Sequence, residues 1–362
     1  MLSINFLFNS ITTLQNSLFE KDMNFNILSK IEIIANSFGA IIAILLAIND
    51  YGVWSLVFQT LTVSFFLLIL NWYYSKFRPK LIFEFSEVKK VLNFGLNLSG
   101  FNILNYFVRN ADYFLIGKFL GMNELGFYSL AYRIMLFPIQ NITSVVSRVL
   151  FPALSKLKED NEKSKEIYLN VAKSVAFISF PIMIGFFVIN ENFVSLFFEE
   201  KWNPIINLLY ILVPVGLIQS VYTLAGAIYQ SRNRTRLWLY WGIISSFITV
   251  SGFYVGLNWG IIGVAISYLV TNLILIIPGS KIPFNLIELR VIEYLKTILP
   301  AFFISFLMGL AVYLVRYLIV GVFNEIFVLV TLIVFGVAFY VVFSFQFNRT
   351  VMMKIFQRIK SS

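Results

Sequence analysis

The chain lacks cysteine and histidine altogether, and it carries few charges for its length. Without cysteine there are no disulfides or thiol nucleophiles, and without histidine there is no imidazole base and none of the usual zinc ligands. Charged residues make up 13% of the 362 residues, whereas a soluble domain has about 25%. The low content of charged residues argues against a soluble globule. The absence of cysteine and histidine also leads us to predict no metal and no organic cofactor.

Apolar segments of about 20 residues recur along the chain, and each is long enough to cross a bilayer core of roughly 30 Å. Hydrophobic residues make up 59% of the sequence, and the mean hydropathy is +0.82. We therefore predict an all-α fold, a polytopic transmembrane helical bundle. Its eleven predicted spans lie near residues 4–19, 31–48, 53–72, 91–116, 125–150, 171–190, 205–229, 237–257, 260–278, 298–319 and 325–346.

Lysine and arginine concentrate on one side of this predicted topology. If the first span runs toward the cytoplasm, 23 of the 28 basic residues lie in cytoplasmic segments, as the positive-inside rule requires. The same asymmetry accounts for the net charge of +10. Contact with anionic membrane lipid explains such loops, so we predict no nucleic acid partner.

Two stretches of the chain resemble each other. Residues 48–70 match residues 256–278, with Gly52 opposite Gly260. The offset corresponds to six helices, and a six-helix repeat is common in transporters whose halves rock around a central site. Chance likeness between apolar segments is the alternative.

The repeat has a consequence for the start of the chain. The polar turns at 17–25 and 227–235 match at almost the same offset, so the first repeat would begin upstream of Met1. We therefore expect about three further helices there, and we expect this chain to be N-terminally truncated. In-frame apolar spans in the upstream coding DNA would support that expectation.

Polar residues share one helical face in each of two consecutive predicted spans. The first set is Asn102, Asn105, Tyr106, Arg109, Asp112 and Tyr113. The second set is Ser129, Arg133, Gln140, Ser144 and Ser147, with Arg148 at its inner end. A central arginine costs about 2.5–3.5 kcal/mol to insert, so it faces protein or water. The two faces predict a hydrated cavity between the halves.

The charges of these faces favour an anionic cargo. Arginine suits phosphate because its forked donors bind two oxygens at once. The alternative is that Arg109 and Asp112 form an i,i+3 ion pair that only neutralises itself. That alternative leaves Arg133 and Arg148 unexplained, since the spans offer them no acid.

Residues 94–160 closely resemble the seventh and eighth helices of bacterial polysaccharide flippases. These are the Wzx-like transporters of the multidrug/oligosaccharidyl-lipid/polysaccharide exporter superfamily. The resemblance is carried by R-N-A-D-x-x-x-I-G-x-x-L-G, then Y-x-L-A-Y-R, then S-R-V-L-F-P-A-L-S. Residues 196–220 resemble the connection between the ninth and tenth helices, although Phe198 stands where glycine is often found.

The resemblance implies a fold of about fourteen helices, of which this chain would hold the fourth to the fourteenth. The implied parts are the remainder of the N-lobe (1–90), the C-lobe (91–280), and a terminal helix pair with a basic tail (281–362). It also implies a function: moving undecaprenyl-diphosphate-linked oligosaccharide from the cytoplasmic to the outer leaflet of the bacterial inner membrane by alternating access. Activity of the chain as it stands is doubtful if half of the N-lobe is missing.

The resemblance also implies roles for single residues. Arg109, Arg133 and Arg148 would meet the diphosphate or sugar acids, with Asn102, Asn105 and Gln140 beside them in the cavity. Asp112 would couple transport to H⁺ or Na⁺, or only hold Arg109. The implied partners are the lipid-linked oligosaccharide, membrane lipid, and polysaccharide polymerase and assembly proteins.

Two other functions remain open at this point. A drug or cation antiporter of the same superfamily would need acidic residues in the cavity, and only Asp112 qualifies. A membrane polysaccharide polymerase or glycosyltransferase usually has a large external loop or an aspartate-rich motif. The longest external loop here, roughly 190–204, leaves little room for an active site. We therefore predict a transporter and not an enzyme.

Overall fold

The computed structural model describes residues 3–78 and 85–347, and in these ranges the chain is almost entirely helical. Twelve α-helices lie in the described ranges. They are α1 (Ile4–Lys21), α2 (Phe25–Ile48), α3 (Val53–Tyr74), α4 (Phe85–Phe119), α5 (Met122–Lys156), α6 (Asn161–Phe197), α7 (Pro204–Tyr222), α8 (Ala225–Ser231), α9 (Thr235–Gly256), α10 (Gly260–Phe284), α11 (Val291–Ile319) and α12 (Glu325–Phe347). Each of the eleven predicted spans coincides with a helix, and the seventh is divided between α7 and α8.

The helices are those of a multi-pass membrane protein. Eight described stretches are long and apolar enough to cross a membrane, and one of them, Thr235–Ile287, contains both α9 and α10. The helices α1 and α4, which carry the most polar of the predicted spans, are not among the eight. Large apolar side chains such as Phe137 and Phe247 are exposed on these helices. Such exposure suits a lipid environment, which is as apolar as the side chains themselves.

The chain divides into two compact units, Met1–Glu87 and Val88–Ser362. In the first unit α2 packs along α3, where the rings of Phe38 and Phe66 stack with centroids 4.4 Å apart. Gly39 allows this close approach, because a Cβ there would collide with the Val63 side chain. The three-part division at residues 90 and 280 stays a prediction.

The second unit contains two adjoining cores and a peripheral pair of helices. One core joins α5, α7 and α10, and the other joins α5, α6, α8 and α11. The helix α12 packs on α6 and α11, where the Tyr340 hydroxyl donates to the carbonyl of Phe177 at 2.9 Å. Pro138, Pro181 and Pro214 lie inside α5, α6 and α7.

The backbone of two pairs of turns agrees in part with the predicted repeat, which itself stays a prediction. Gly52 immediately precedes α3 and Gly260 is the first residue of α10, and their φ angles are +52° and +66°. Met23 and Asn233, which are 210 positions apart, both adopt left-handed φ angles, of 59° and 55°. The hydrogen bonds agree too, since one from the amide of residue 24 to the carbonyl of residue 19 has its counterpart between residues 234 and 229. The turns still differ in one respect, since Asp50 has a left-handed φ of 60° and Asn258, at the matching position, lies in a short 3-10 helix.

Candidate functional site

A cavity of about 370 Å³ lies within the second unit, between α4 and the helices α5, α7, α8, α9 and α10. Its volume falls in the range of about 300–1,000 Å³ that is usual for small-molecule sites. The helix α4 forms one wall because its Phe101 ring stacks on Trp238 of α9, with centroids 3.9 Å apart. That ring occupies the space which a Cβ at Gly242 would need, so α4 and α9 approach closely there.

Four of the predicted site residues line the cavity together. Asn102, Asn105, Arg109 and Asp112 are spaced by three, four and three positions on α4, which places them on one face. These four residues thus line a cavity inside the second unit, and their role in binding stays a prediction. Tyr106, predicted on the same face, does not line this cavity and is 66% exposed.

The two charges in the α4 wall differ in exposure. Arg109 is exposed, whereas Asp112 is only 1% exposed. The Asp112 carboxylate accepts from the backbone amide of Tyr113 at 2.9 Å. The buried side chain of Tyr128 is also near it, whereas Arg109 is not among the groups that interact with it. The i,i+3 ion pair is therefore not formed, and Arg109 remains available to a ligand.

A polar network that the sequence analysis did not identify forms the facing wall. Gln219 of α7 donates to the Tyr268 hydroxyl of α10 at 2.6 Å, and Tyr268 also pairs with the Tyr132 hydroxyl of α5 at 3.2 Å. Asn272, one turn further along α10, donates to the Tyr268 carbonyl at 2.8 Å. One signal in the sequence could have revealed this wall: Gln219 and Asn272 are isolated amide side chains in apolar spans.

Aromatic side chains form one end of the cavity, and they too were missed. Trp238 stacks with Phe101 and also with Tyr229, whose ring is parallel to it with centroids 5.8 Å apart. Beside them, the indole of Trp241 donates to the Tyr222 hydroxyl at 3.0 Å. These residues come from α4, α7, α8 and α9, so no pattern within one helix brings them together.

The predicted polar face of α5 does not line this cavity. Arg133, Gln140 and Arg148 are exposed, and Tyr132 is the one α5 residue among the described residues that line the cavity. Arg133 lies near Tyr113 of α4, and the Ser144 side chain is outside the described residues. The predicted cavity between the halves, lined by both faces, stays a prediction, and so does a binding role for the α5 residues.

The possible metal ligands in this chain are carboxylates, because histidine and cysteine are absent. Within residues 3–78 and 85–347, no three carboxylates lie close enough together to hold a metal ion. The chemistry of the cavity therefore comes from Arg109, Asp112, neutral polar groups and aromatic rings.

Comparisons with known proteins agree on one family. Residues 1–207 match the family described as polysaccharide biosynthesis protein. Teichuronic acid biosynthesis protein TuaB of Bacillus subtilis (strain 168) is 31% identical over 319 residues, which are 86% of this chain and 65% of TuaB. Lipopolysaccharide biosynthesis protein WzxC of Escherichia coli (strain K12) is 33% identical over 199 residues, or 55% and 40% of the two chains. The chain thus spans 40–65% of the length of these relatives.

A solved structure shares the fold. Lipid II flippase MurJ in an inward closed conformation superposes with a TM-score of 0.60 at 19% identity, covering 96% of this chain and 74% of MurJ. Identity at that level shows the fold alone. The helical architecture described above is therefore the fold that MurJ has.

Proposed function

This chain belongs to the family of polysaccharide biosynthesis proteins, and on that premise we propose that the whole protein is a flippase. It moves undecaprenyl-diphosphate-linked oligosaccharide, the repeat unit of a surface polysaccharide, from the cytoplasmic to the outer leaflet of the bacterial cytoplasmic membrane. The relatives support the polysaccharide part of this proposal by their names, and MurJ, whose cargo is lipid II, supports the lipid-linked part.

The observation that carries the proposal is the cavity with Arg109 in its wall. A diphosphate and several sugars are very costly to place in hydrocarbon, so a protein that moves them across must surround them with polar groups. The second unit provides such groups on α4, α7 and α10. Arg109 is exposed at this wall and offers its forked N–H donors to phosphate oxygens. We assign the diphosphate contact to it, and we keep Arg133 and Arg148 as proposed contacts outside this cavity.

Energy for transport requires a coupled ion, and we assign the coupling role to Asp112. It is the one carboxylate among the described residues that line the cavity. Binding of H⁺ or Na⁺ neutralises this buried charge, which favours one of two alternating conformations over the other. Polymerase and assembly proteins would use the product on the outer side. The protein itself acts as a transporter and not as an enzyme.

A second candidate function is a drug or cation antiporter, and the burial of Asp112 in the cavity wall favours it. An acid in a hydrated cavity is what such an antiporter needs for its cation. The lining nevertheless includes Arg109 as well as Asp112, so the two charges cancel. A cationic cargo gains less from a neutral wall than from an acidic one.

Surface polysaccharide separates the two functions. In a strain that carries the substituted gene, Arg109→Ala should abolish surface polysaccharide while the protein still reaches the membrane. The matched control is Arg236→Ala, because Arg236 is exposed and contacts only Tyr240 of its own helix among the described residues. Normal polysaccharide with Arg109→Ala, together with loss of resistance to a cationic drug, would support the antiporter.

A further inference from the structure

The cavity in the second unit is lined mainly by uncharged hydrogen-bonding groups and aromatic rings. Among its described lining residues, Arg109 and Asp112 are the only charged ones, and their charges cancel. The uncharged polar residues of the lining are Asn102, Asn105, Gln219, Thr223, Ser245, Ser246, Thr249 and Asn272. A diphosphate placed among them would meet a single cation. This composition suits a neutral ligand that carries many hydroxyl groups.

We propose that this cavity is a saccharide subsite, which holds the uncharged sugar rings nearest the diphosphate while the diphosphate lies at Arg109. The proposal rests on the flippase function and names the part of the cargo that the cavity takes. Sugars have hydroxyl edges that both donate and accept hydrogen bonds, and they have faces of C–H groups that pack on aromatic rings. The cavity offers partners for both.

The aromatic partners are Trp241 and Tyr222. Trp238 stacks with both Phe101 and Tyr229, so it forms part of a packed wall. Trp241 and Tyr222 are each partly exposed, and the 3.0 Å hydrogen bond between them fixes their relative orientation. Rigid aromatic groups with one polar end bind at low entropic cost. These two residues can therefore receive the apolar face of a sugar ring.

The hydrogen-bonding partners lie on opposite walls. Asn102 and Asn105 are exposed on α4, and Asn272 lies on α10. Each side-chain amide supplies both a donor and an acceptor, as a hydroxyl does. The Asn272 carbonyl oxygen is 3.4 Å from the Gln219 amide, at the long limit of a hydrogen bond, so it can accept from a ligand hydroxyl.

The dimensions agree with a subsite for part of the cargo. From Phe101 to Asp112 the α4 wall extends about 17 Å at 1.5 Å per residue. A volume of about 370 Å³ is a small-molecule volume, too small for a complete lipid-linked oligosaccharide. The cavity therefore takes the sugars that are closest to Arg109, and the remaining sugars and the polyprenyl chain lie outside it.

The test compares lipids with and without a sugar, using the full chain in lipid nanodiscs. The probes are undecaprenyl diphosphate alone and undecaprenyl diphosphate that carries one glucose, galactose or N-acetylglucosamine. We expect at least one sugar to tighten binding about tenfold over undecaprenyl diphosphate alone. Trp241→Leu and Asn272→Ala should remove that gain and leave the affinity for undecaprenyl diphosphate within about twofold. Unchanged affinity for the bare lipid also shows that the variants are folded.

Trp259→Leu is the matched control, since Trp259 is 69% exposed in the turn between α9 and α10 and does not line the cavity. It should keep the full gain. If undecaprenyl diphosphate binds but none of the three sugars adds affinity, the saccharide subsite is refuted and the flippase function stands. The same conclusion follows if Trp241→Leu weakens both kinds of lipid equally. If neither kind of lipid binds, the flippase function itself fails, and this inference fails with it.

Discussion

The polar faces of α4 and α5 carry similar residues but lie in different surroundings. On α4 the face of Asn105, Arg109 and Asp112 lines a cavity, because Phe101 holds the helix against α9. On α5 the face of Arg133 and Gln140 is exposed, and the same helix turns Tyr132 toward that cavity. Thus an arginine inside a membrane helix marks a functional region, but the neighbouring helices determine which surface it serves.

The largest expected difference between the two faces is in transport rate. In vesicles loaded with a lipid-linked sugar, Arg109→Ala should slow translocation about 100-fold, which corresponds to about 2.7 kcal/mol. Arg133→Ala should slow it by no more than about tenfold, because Arg133 lies outside the cavity. Leaflet-specific chemical modification of the sugar measures both rates. Equal losses would show that the two faces act as one surface, as the sequence pattern alone suggested.

The two helices should also differ in how much a packed aromatic side chain contributes to the free energy of unfolding. Phe101→Ala removes a ring that stacks on Trp238 and fills the space beside Gly242. We expect it to lower the free energy of unfolding by about 2 kcal/mol, because a cavity replaces those contacts. Phe137→Ala on α5 should change it by less than about 0.5 kcal/mol, since that ring is 71% exposed. Reversible denaturant unfolding in detergent micelles gives both values, and similar losses would contradict the close packing of α4 on α9.

Neutralising Asp112 should affect coupling more than folding. Asp112→Asn keeps the size of the buried side chain but removes its charge. We expect translocation to fall about tenfold and to lose its response to an imposed H⁺ or Na⁺ gradient. The control is Asp50→Asn, which changes an exposed acid in the turn between α2 and α3. If Asp112→Asn still responds to the gradient, the coupling group is a residue other than Asp112.

Removal of one hydroxyl tests the wall opposite α4. Tyr268→Phe removes the acceptor for Gln219 and the partner of Tyr132 while keeping the ring. We expect a loss of about 1 kcal/mol in unfolding free energy, the usual contribution of a hydrogen bond in this setting. The measurement is thermal unfolding compared with Tyr254→Phe, whose ring is 63% exposed. No difference between the two variants would show that the network adds nothing to stability.

Much of the fold could be predicted from the sequence. The thickness of the hydrocarbon core sets the length of a spanning helix, and a continuous run of apolar side chains shows which segments can insert. The repeat stays a prediction, although the matched residues Gly52 and Gly260 both have the positive φ that glycine favours. The α4 wall followed from helical spacing. Gln219, Trp241 and Asn272 could not be predicted as residues of one cavity, because they come from three different helices and meet only through tertiary packing.

The central claim is that cargo occupies the cavity beside α4, and single-cysteine protection tests it most directly. The chain has no cysteine, so one introduced thiol reports without background. Asn105→Cys and Gln140→Cys would each be labelled with a water-soluble maleimide, with and without an undecaprenyl-diphosphate-linked sugar. The account predicts that the lipid slows labelling at Asn105→Cys at least about fivefold and leaves Gln140→Cys within about twofold. Protection at Gln140→Cys alone, or equal protection at both, would contradict it.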